Sequence, residues 1–344
     1  MKSPGPTRRR LFSAPGFIGD DEGMRILFAA FLTGSLLTCA EPPAVSRIGE
    51  QHYRIFRGNG TPATLDDIVE ASRKASVTFL GENHDDPVAH HLEMEILKRA
   101  ATPETVLSME MFERDVQGVV DEYLAGLITE EHLIASGRAW KNYKADYRPL
   151  IEFAKSHNMP VVAANAPRRY VNRVSRLGKG ALKDLSEAAR ATLPPLPYAA
   201  ASTEYEVKFM KLMEDMKKER DKEENKPGGG ASGPPPPDPQ KSLEAQSLWD
   251  ASMAYWISEA LKRNPNAKVI HINGSFHSDN QLGILDHLRR YRPGSSTLVV
   301  AMHPLKSFPD WDREQLSAAG DFVIVTAPNA PKTQAPKPAK PEVR

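Results

Sequence analysis

Four polar clusters in this chain each follow directly on a short apolar run. They are Gly81-Glu82-Asn83-His84, Glu110 within Ser108-Met109-Glu110-Met111, Asn165-Ala166-Pro167-Arg168-Arg169, and Asn273-Gly274-Ser275-Phe276-His277. Carboxylates, imidazoles, amides and guanidinium groups are the side chains that hold ligands and move protons. An unpaired carboxylate costs several kcal/mol to bury, so Glu110, set in an apolar strand end, calls for a partner such as an arginine, a histidine or a metal. Gly-x-x-His occurs twice, at Gly81–His84 and Gly274–His277. In each the glycine permits a turn with positive φ and places the histidine above the strand. The competing reading is that these residues cap helices and pair with one another around no ligand.

The elements that must position them are short apolar runs alternating with longer helical patterns, the signature of βαβ units. Strands are predicted at 77–80, 105–109, 160–164, 268–272, 296–301 and 321–326. Asp86-Pro87 opens a helix, an N-cap residue followed by proline at the first helical position. In an open parallel sheet the loops beyond the carboxyl ends of the strands converge on the ligand. Glu82, His84, Glu110, Asn165, Arg168, Arg169, Asn273 and His277 would then share one rim.

The composition of the 344 residues is that of a globular chain, with 40% apolar and 26% charged residues and a net charge of +1. No basic stripe accompanies that balance, which argues against nucleic acid as a partner. The single cysteine excludes an intramolecular disulfide framework and multi-cysteine metal sites. It stands at Cys39, directly after the apolar run 26–37 that follows Met24 and Arg25, the layout of a signal peptide. Leu36-Leu37-Thr38-Cys39 resembles a bacterial lipobox, with threonine where glycine or alanine is usual. Lipidation of Cys39 would anchor the protein to a membrane of the bacterial cell envelope, outer or periplasm-facing.

Residues 1–38 therefore read as an extension plus signal peptide, 39–60 as a linker, 61–327 as one α/β domain and 328–344 as a flexible Pro/Lys-rich tail. Within the domain, about 170–263 is mainly helical. The stretch 217–241, with a charge run, three consecutive glycines and four consecutive prolines, reads as a disordered surface insertion, because such a composition buries too little apolar surface to offset its ordering entropy. The flanking helices, 204–216 and 242–263, would form a hairpin or lid. No G-x-S-x-G elbow is present, since Ser275 lacks the second glycine. H-E-x-x-H is absent too: His91-Leu-Glu-Met-Glu95 has the wrong spacing, and His90 and His91 read as solvent-facing.

The segments Phe79–Asp86, Ser108–Phe112, Tyr147–Leu150, Ala163–Pro167, Gln246–Ala254 and Asn273–His277 together resemble the ChaN-type haem-binding lipoproteins, which share a superfamily with Tiki-like proteins and erythromycin-esterase-like enzymes. The similarity runs in order from about residue 50 to 326. The resemblance implies a three-layer parallel sheet flanked by helices with a smaller helical subdomain, a lipid anchor, and haem held between the protomers of a homodimer. Tyrosine and histidine are its expected iron ligands. Tyr205, which shares a helix face with Phe209 and Leu212, is the first candidate and Tyr198 the second. Met210, Met213 and Met216 could line the porphyrin, or simply pack in the core. Where related chains carry histidine and glycine after that helix, this one has the charged, proline-rich stretch 217–241.

The same resemblance implies an alternative, a metal-dependent hydrolase of the Tiki or erythromycin-esterase kind. His84 and His277, with Glu110 or Glu82, would hold a divalent metal and the remaining carboxylate would activate water. Without a metal, a histidine would act as general base positioned by Glu82 or Glu110.

Overall fold

The predicted strands form, and several run past their apolar stretches at the carboxyl end. In the computed structural model, which describes residues 48–224 and 238–332, these are β2 (Val77–Glu82), β3 (Thr105–Glu113), β4 (Val161–Asn165), β5 (Lys268–Gly274), β6 (Thr297–Pro304) and β7 (Phe322–Thr326). Their extension draws Glu82 and Glu110 into the strands themselves. A further strand, β1 (Tyr53–Arg57), pairs antiparallel with β7 at the sheet edge, so part of the stretch 39–60 read as linker belongs to the sheet. The other strand-to-strand pairings among the described residues are parallel.

The sheet order is β1-β7-β6-β2-β5-β3-β4. The chain leaves β2 for β3 and β4 on one side. It returns through β5 and crosses to β6 and β7 on the other, so the winding reverses around β2 and β5. A crevice opens at such a switch point beyond the carboxyl ends of the strands. Opposite Glu82 stands Gly274, and opposite Gly81 stands Asn273.

Helices cover both faces. In chain order they are α1 (Leu65–Lys74), α2 (Pro87–Ala100), α3 (Gln117–Leu124), α4 (Glu130–Ser136), α5 (Arg148–Ser156), α6 (Arg168–Leu177), α7 (Glu187–Arg190), α8 (Thr203–Glu224), α9 (Pro239–Arg263), α10 (Ile284–Tyr291) and α11 (Arg313–Leu316). Strand alternation assigns the layers. Leu80, Leu107, Met109, Ile270, Ile272 and Val300 pack with α1, α2 and α5, whereas Val77, Phe79, Val106, Val269 and Val299 pack with Met253, Ile257 and Leu261 of α9 and with α10. The helix predicted from Asp86-Pro87 starts there, with the Asp86 carboxylate accepting from Val88 N–H at 2.9 Å.

Two expectations for the helical region change. Helix α8 runs on to Glu224 and α9 begins at Pro239, so the ends of the stretch 217–241 are helical rather than disordered. Lys, Glu and Arg are strong helix formers, and the Glu214–Lys218 pair at 2.8 Å adds i,i+4 support. Helix α9 is also no lid: it is buried along most of its length as the second sheet layer, because its apolar residues surround the helix rather than marking one narrow face. Among the described residues no helix is long and apolar enough to cross a membrane. Cys39, the apolar run before it, residues 225–237 and most of the 328–344 tail lie outside the described residues.

Candidate functional site

Glu82 closes β2 with its side chain in the core, 1% exposed. Its Oε1 accepts from the Tyr147 hydroxyl at 2.7 Å and from His84 Nδ1 at 2.8 Å. Its Oε2 lies 2.7 Å from His90 Nε2 as an ion pair. Burial opposes ionisation, but the contacts from His84 and His90 outweigh it and hold the carboxyl well below its usual range. With an acceptor-only carboxylate at Nδ1, His84 must donate there, which in the neutral ring leaves Nε2 as its acceptor.

Glu110 reaches the same place from β3, where the register with β4 breaks between Met109 and Glu113. An irregularity of this kind re-aims a side chain at a sheet rim. Glu110 Oε2 accepts from Gly274 N–H at 2.7 Å, while Oε1 stands 3.9 Å from His84 Nε2 and 3.7 Å from His277 Nε2. His277, in the 3-10 turn after β5, holds its Nδ1 2.6 Å from Asp250 Oδ1 on α9. Burial disfavours its charge, yet the Glu110 and Asp250 carboxylates push the imidazole up to about 9. His84 is raised as well: burial works against it, while Glu82 and Glu110 prevail.

Both imidazoles are thus backed at Nδ1 by a buried carboxylate and turn Nε2 toward one oxygen of Glu110. Each also meets an indole edge, His84 that of Trp140 at 4.9 Å and His277 that of Trp249 at 6.3 Å between centroids. Asn273 is buried and donates to the Gly274 carbonyl and to Ser278 Oγ, both at 2.9 Å. Such a constellation suits general acid–base chemistry or capture of a cation. Among the described residues no three His, Cys, Asp or Glu side chains form a ready metal centre.

Four residues of the predicted rim, Glu82, His84, Glu110 and His277, converge, with Asn273 beside them. Asn165 caps its own turn, its Oδ1 accepting from Ala166 N–H at 2.9 Å. Arg168 and Arg169 are exposed at the start of α6, Arg169 pairing with Asp115. Tyr198 sits in a separate cluster and donates to the Glu244 carbonyl at 2.8 Å. Tyr205 is 1% exposed and its hydroxyl accepts from Gln246 Nε2 at 3.3 Å; the same amide approaches His277 Nδ1 at 3.3 Å. Burial and then the Asp250 charge push the Tyr205 phenol well above its ordinary 10. Met210 and Met213 pack, half-buried, against Tyr205, Phe209 and Leu243.

Several participants escaped the sequence reading. Asp250 is a lone charge in the apolar pattern of α9, and that mismatch was the available signal. His90 is the clearest correction: far from facing solvent, it is 5% exposed, between Glu82 and Asp146. Asp86, His90, Glu93 and Leu97 follow at helical spacing, so His90 falls on the face of α2 that Leu97 marks as buried.

A family described as haem-binding uptake, Tiki superfamily, ChaN matches residues 68–288, more than half of the chain. No curated protein matches. Among solved structures, one described as cofacial heme binding to ChaN of Campylobacter jejuni is similar at 18% identity and a TM-score of 0.56, over 80% of this chain and 98% of that one. An erythromycin esterase, a mutant of EreC in its open conformation, aligns at 12% identity and a TM-score of 0.43 over 82% of this chain and 98% of that one. The type III effector HopBA1 aligns at 14% and 0.41, over 81% and 99%.

Proposed function

The chain belongs to the haem-binding uptake, Tiki superfamily, ChaN family, and from that premise we propose that it binds haem for haem or iron uptake at the cell envelope. The observation that carries this reading is the apolar stripe of α8. Tyr205, Phe209, Leu212 and Met216 recur at i, i+4, i+7 and i+11; the first two are buried, while Leu212 is 38% and Met216 59% exposed. An apolar helix face that outruns the core it packs on is a surface for an apolar ligand. A porphyrin face is a ligand of that kind. The Tyr205 and Tyr198 hydroxyls are turned into the protein and do not fit as iron ligands, whereas Met216 presents an accessible thioether, a group that haem iron accepts. A lipid anchor at Cys39, an outer-membrane or periplasm-facing position and a homodimer that shares the ligand belong to the same proposal.

Hemin titrated into the protein should give a saturable Soret shift that Met216→Ala alters and Leu212→Glu weakens. A spectrum identical to free hemin at every ratio would defeat the proposal. Palmitate labelling that survives Cys39→Ser would defeat the anchor.

The cluster of Glu82, His84, Glu110 and His277 at the strand ends favours a second reading, hydrolysis. What supports it is the matched backing of His84 by Glu82 and of His277 by Asp250, the outer-shell pattern that orients ligating or proton-accepting imidazoles. His84, Glu110 and His277 are the residues that would hold a divalent ion, which would supply an activated water and polarise a carbonyl. Metal-free, His84 would serve as general base. Elemental analysis of purified protein, with ester and peptide substrates tested before and after chelation, decides this reading: neither bound metal nor turnover would remove it.

A further inference from the structure

Beside His84 runs a circuit of groups in which Glu82, His90 and Tyr147 are buried and Trp140, Asn142 and Asp146 half-buried. His90, four residues into α2, has 4% of its side chain exposed; its Nε2 lies 2.7 Å from Glu82 Oε2 and its Nδ1 3.3 Å from Asp146 Oδ1. Its ring meets the Tyr147 ring edge-on at 5.3 Å, and Tyr147 donates its hydroxyl to the other oxygen of Glu82 at 2.7 Å. Tyr147 in turn meets Trp140 at 5.9 Å, and Trp140 meets His84 at 4.9 Å. Asn142 closes the ring by donating to the His84 carbonyl at 3.2 Å.

Asp146 and Tyr147 are adjacent in sequence, yet both face this circuit. They can do so because Tyr143–Tyr147 winds as a π-helical turn, wider than an α-turn and a recurrent feature beside functional sites. The segment between α4 and α5 is thereby tied to the end of β2 twice, directly by the Tyr147 hydroxyl and through the His90 imidazole by Asp146. The consequence falls on Glu82. A carboxylate free to rotate could offer either oxygen to His84, or neither. With Oε2 drawn to His90 as an ion pair at 2.7 Å and Oε1 held by the Tyr147 hydroxyl, the carboxylate is restrained from both sides and Oε1 is the oxygen that meets His84.

We infer that His90 is a positioning residue for His84: by occupying Glu82 Oε2 it fixes the carboxylate that sets the His84 ring, with Nδ1–H toward Glu82 and Nε2 toward Glu110. This inference rests on the hydrolytic reading only in the use to which His84 is put; the positioning itself is a property of the folded chain. Replacing His90 by an apolar side chain would leave the buried Glu82 Oε2 and the half-buried Asp146 without their shared partner, a cost that reorientation of Glu82 relieves. His84 would then lose its fixed acceptor and sample both tautomers.

The test is long-range ¹H–¹⁵N spectroscopy of the whole protein labelled at histidine, with His84 assigned by its loss in His84→Gln. In the wild type, the neutral His84 ring should show a single tautomer protonated at Nδ1. In His90→Leu a second set of His84 resonances, protonated at Nε2, should appear, while His90→Gln, which keeps a donor for Glu82, should restore the single set. An unchanged His84 in His90→Leu overturns the inference. So does a His84 equally mixed in His90→Gln, because bulk rather than the donor would then be responsible. Should His90→Leu not fold, His90→Asn, too short to reach Glu82, reads the same signal. The readout needs neither metal nor substrate, so a protein without hydrolytic activity would sink the catalytic use of His84 and leave this result standing.

Discussion

Gly274 yields the space that His84 fills: a Cβ on Gly274 would stand 2.8 Å from His84 Nε2 and 3.0 Å from its Cε1. The loop after β2 and the end of β5 close on each other at this point, and the N–H of the same glycine holds Glu110 Oε2 at 2.7 Å. One residue without a side chain thus seats an imidazole and a carboxylate together.

Gly274→Ala should therefore push His84 out of place. The φ of Gly274 is −59°, which any residue adopts, so the penalty is steric rather than conformational. A loss of about 1–3 kcal/mol is expected from overpacking, read by urea unfolding, together with displaced His84 ring resonances. An alanine variant as stable as wild type, with His84 unmoved, would contradict the close approach.

Asp250 backs His277 as Glu82 backs His84. If the pocket takes up zinc, Asp250→Asn should lower its affinity about 10- to 100-fold, the usual effect of removing an outer-shell carboxylate, measured by competition with a chromophoric chelator. Equal affinities in the two proteins would mean that the Asp250 carboxylate does not tune His277 toward a metal.

His271, fully buried in β5 with Nδ1 2.9 Å from Ser108 Oγ, should mark the acid limit of stability. Burial, aided by the charge of nearby His277, holds its imidazole down to about 3 from an ordinary 6.5. Between those values the unfolded chain binds a proton that the folded chain refuses. The contribution is complete above pH 6.5 and declines as pH falls toward 3, by at most about 5 kcal/mol. Urea midpoints at pH 7, 5.5 and 4 should decline less in His271→Gln than in wild type; parallel declines would exclude His271 as a cause.

Tyr205→Phe and Met216→Ala should separate the two halves of α8. Loss of the buried Tyr205 hydroxyl should cost about 1 kcal/mol of stability through its contact with Gln246 and leave the hemin Soret band in place. Met216→Ala should shift that band with little effect on stability. The reverse pattern, with Tyr205→Phe abolishing the band, would restore Tyr205 as the iron ligand and require α8 to move when haem binds.

Much of the frame was legible in one dimension. Strands such as 77–80 and 105–109 announce themselves because a parallel strand buried on both faces is apolar at nearly every position, with only the small hydroxyls Thr78, Thr105 and Ser108 admitted, and Asp86-Pro87 declares a helix start by its own chemistry. The convergence of Glu82, His84, Glu110 and His277 also followed from their places at strand ends. The polar stretch around 53–57 concealed β1, because an edge strand needs fewer apolar residues to pair. The charged end of α8 was mistaken for part of the insertion because low apolar content signals disorder and solvated helix alike.

The order of apolar and polar residues was enough to set the alternation of elements, and with it the end of the sheet at which the polar cluster would gather, because periodicity and strand-end position are local properties. Tertiary structure alone decided which groups stand behind the pocket residues. Asp250 lies on α9, His90 on α2, and Asp146 and Tyr147 in the turn before α5, and nothing in their local sequence says which carboxylate each imidazole will meet. It also turned Tyr205 inward and left Met216 in water, two positions of one helical stripe that differ only in where the core beneath them ends.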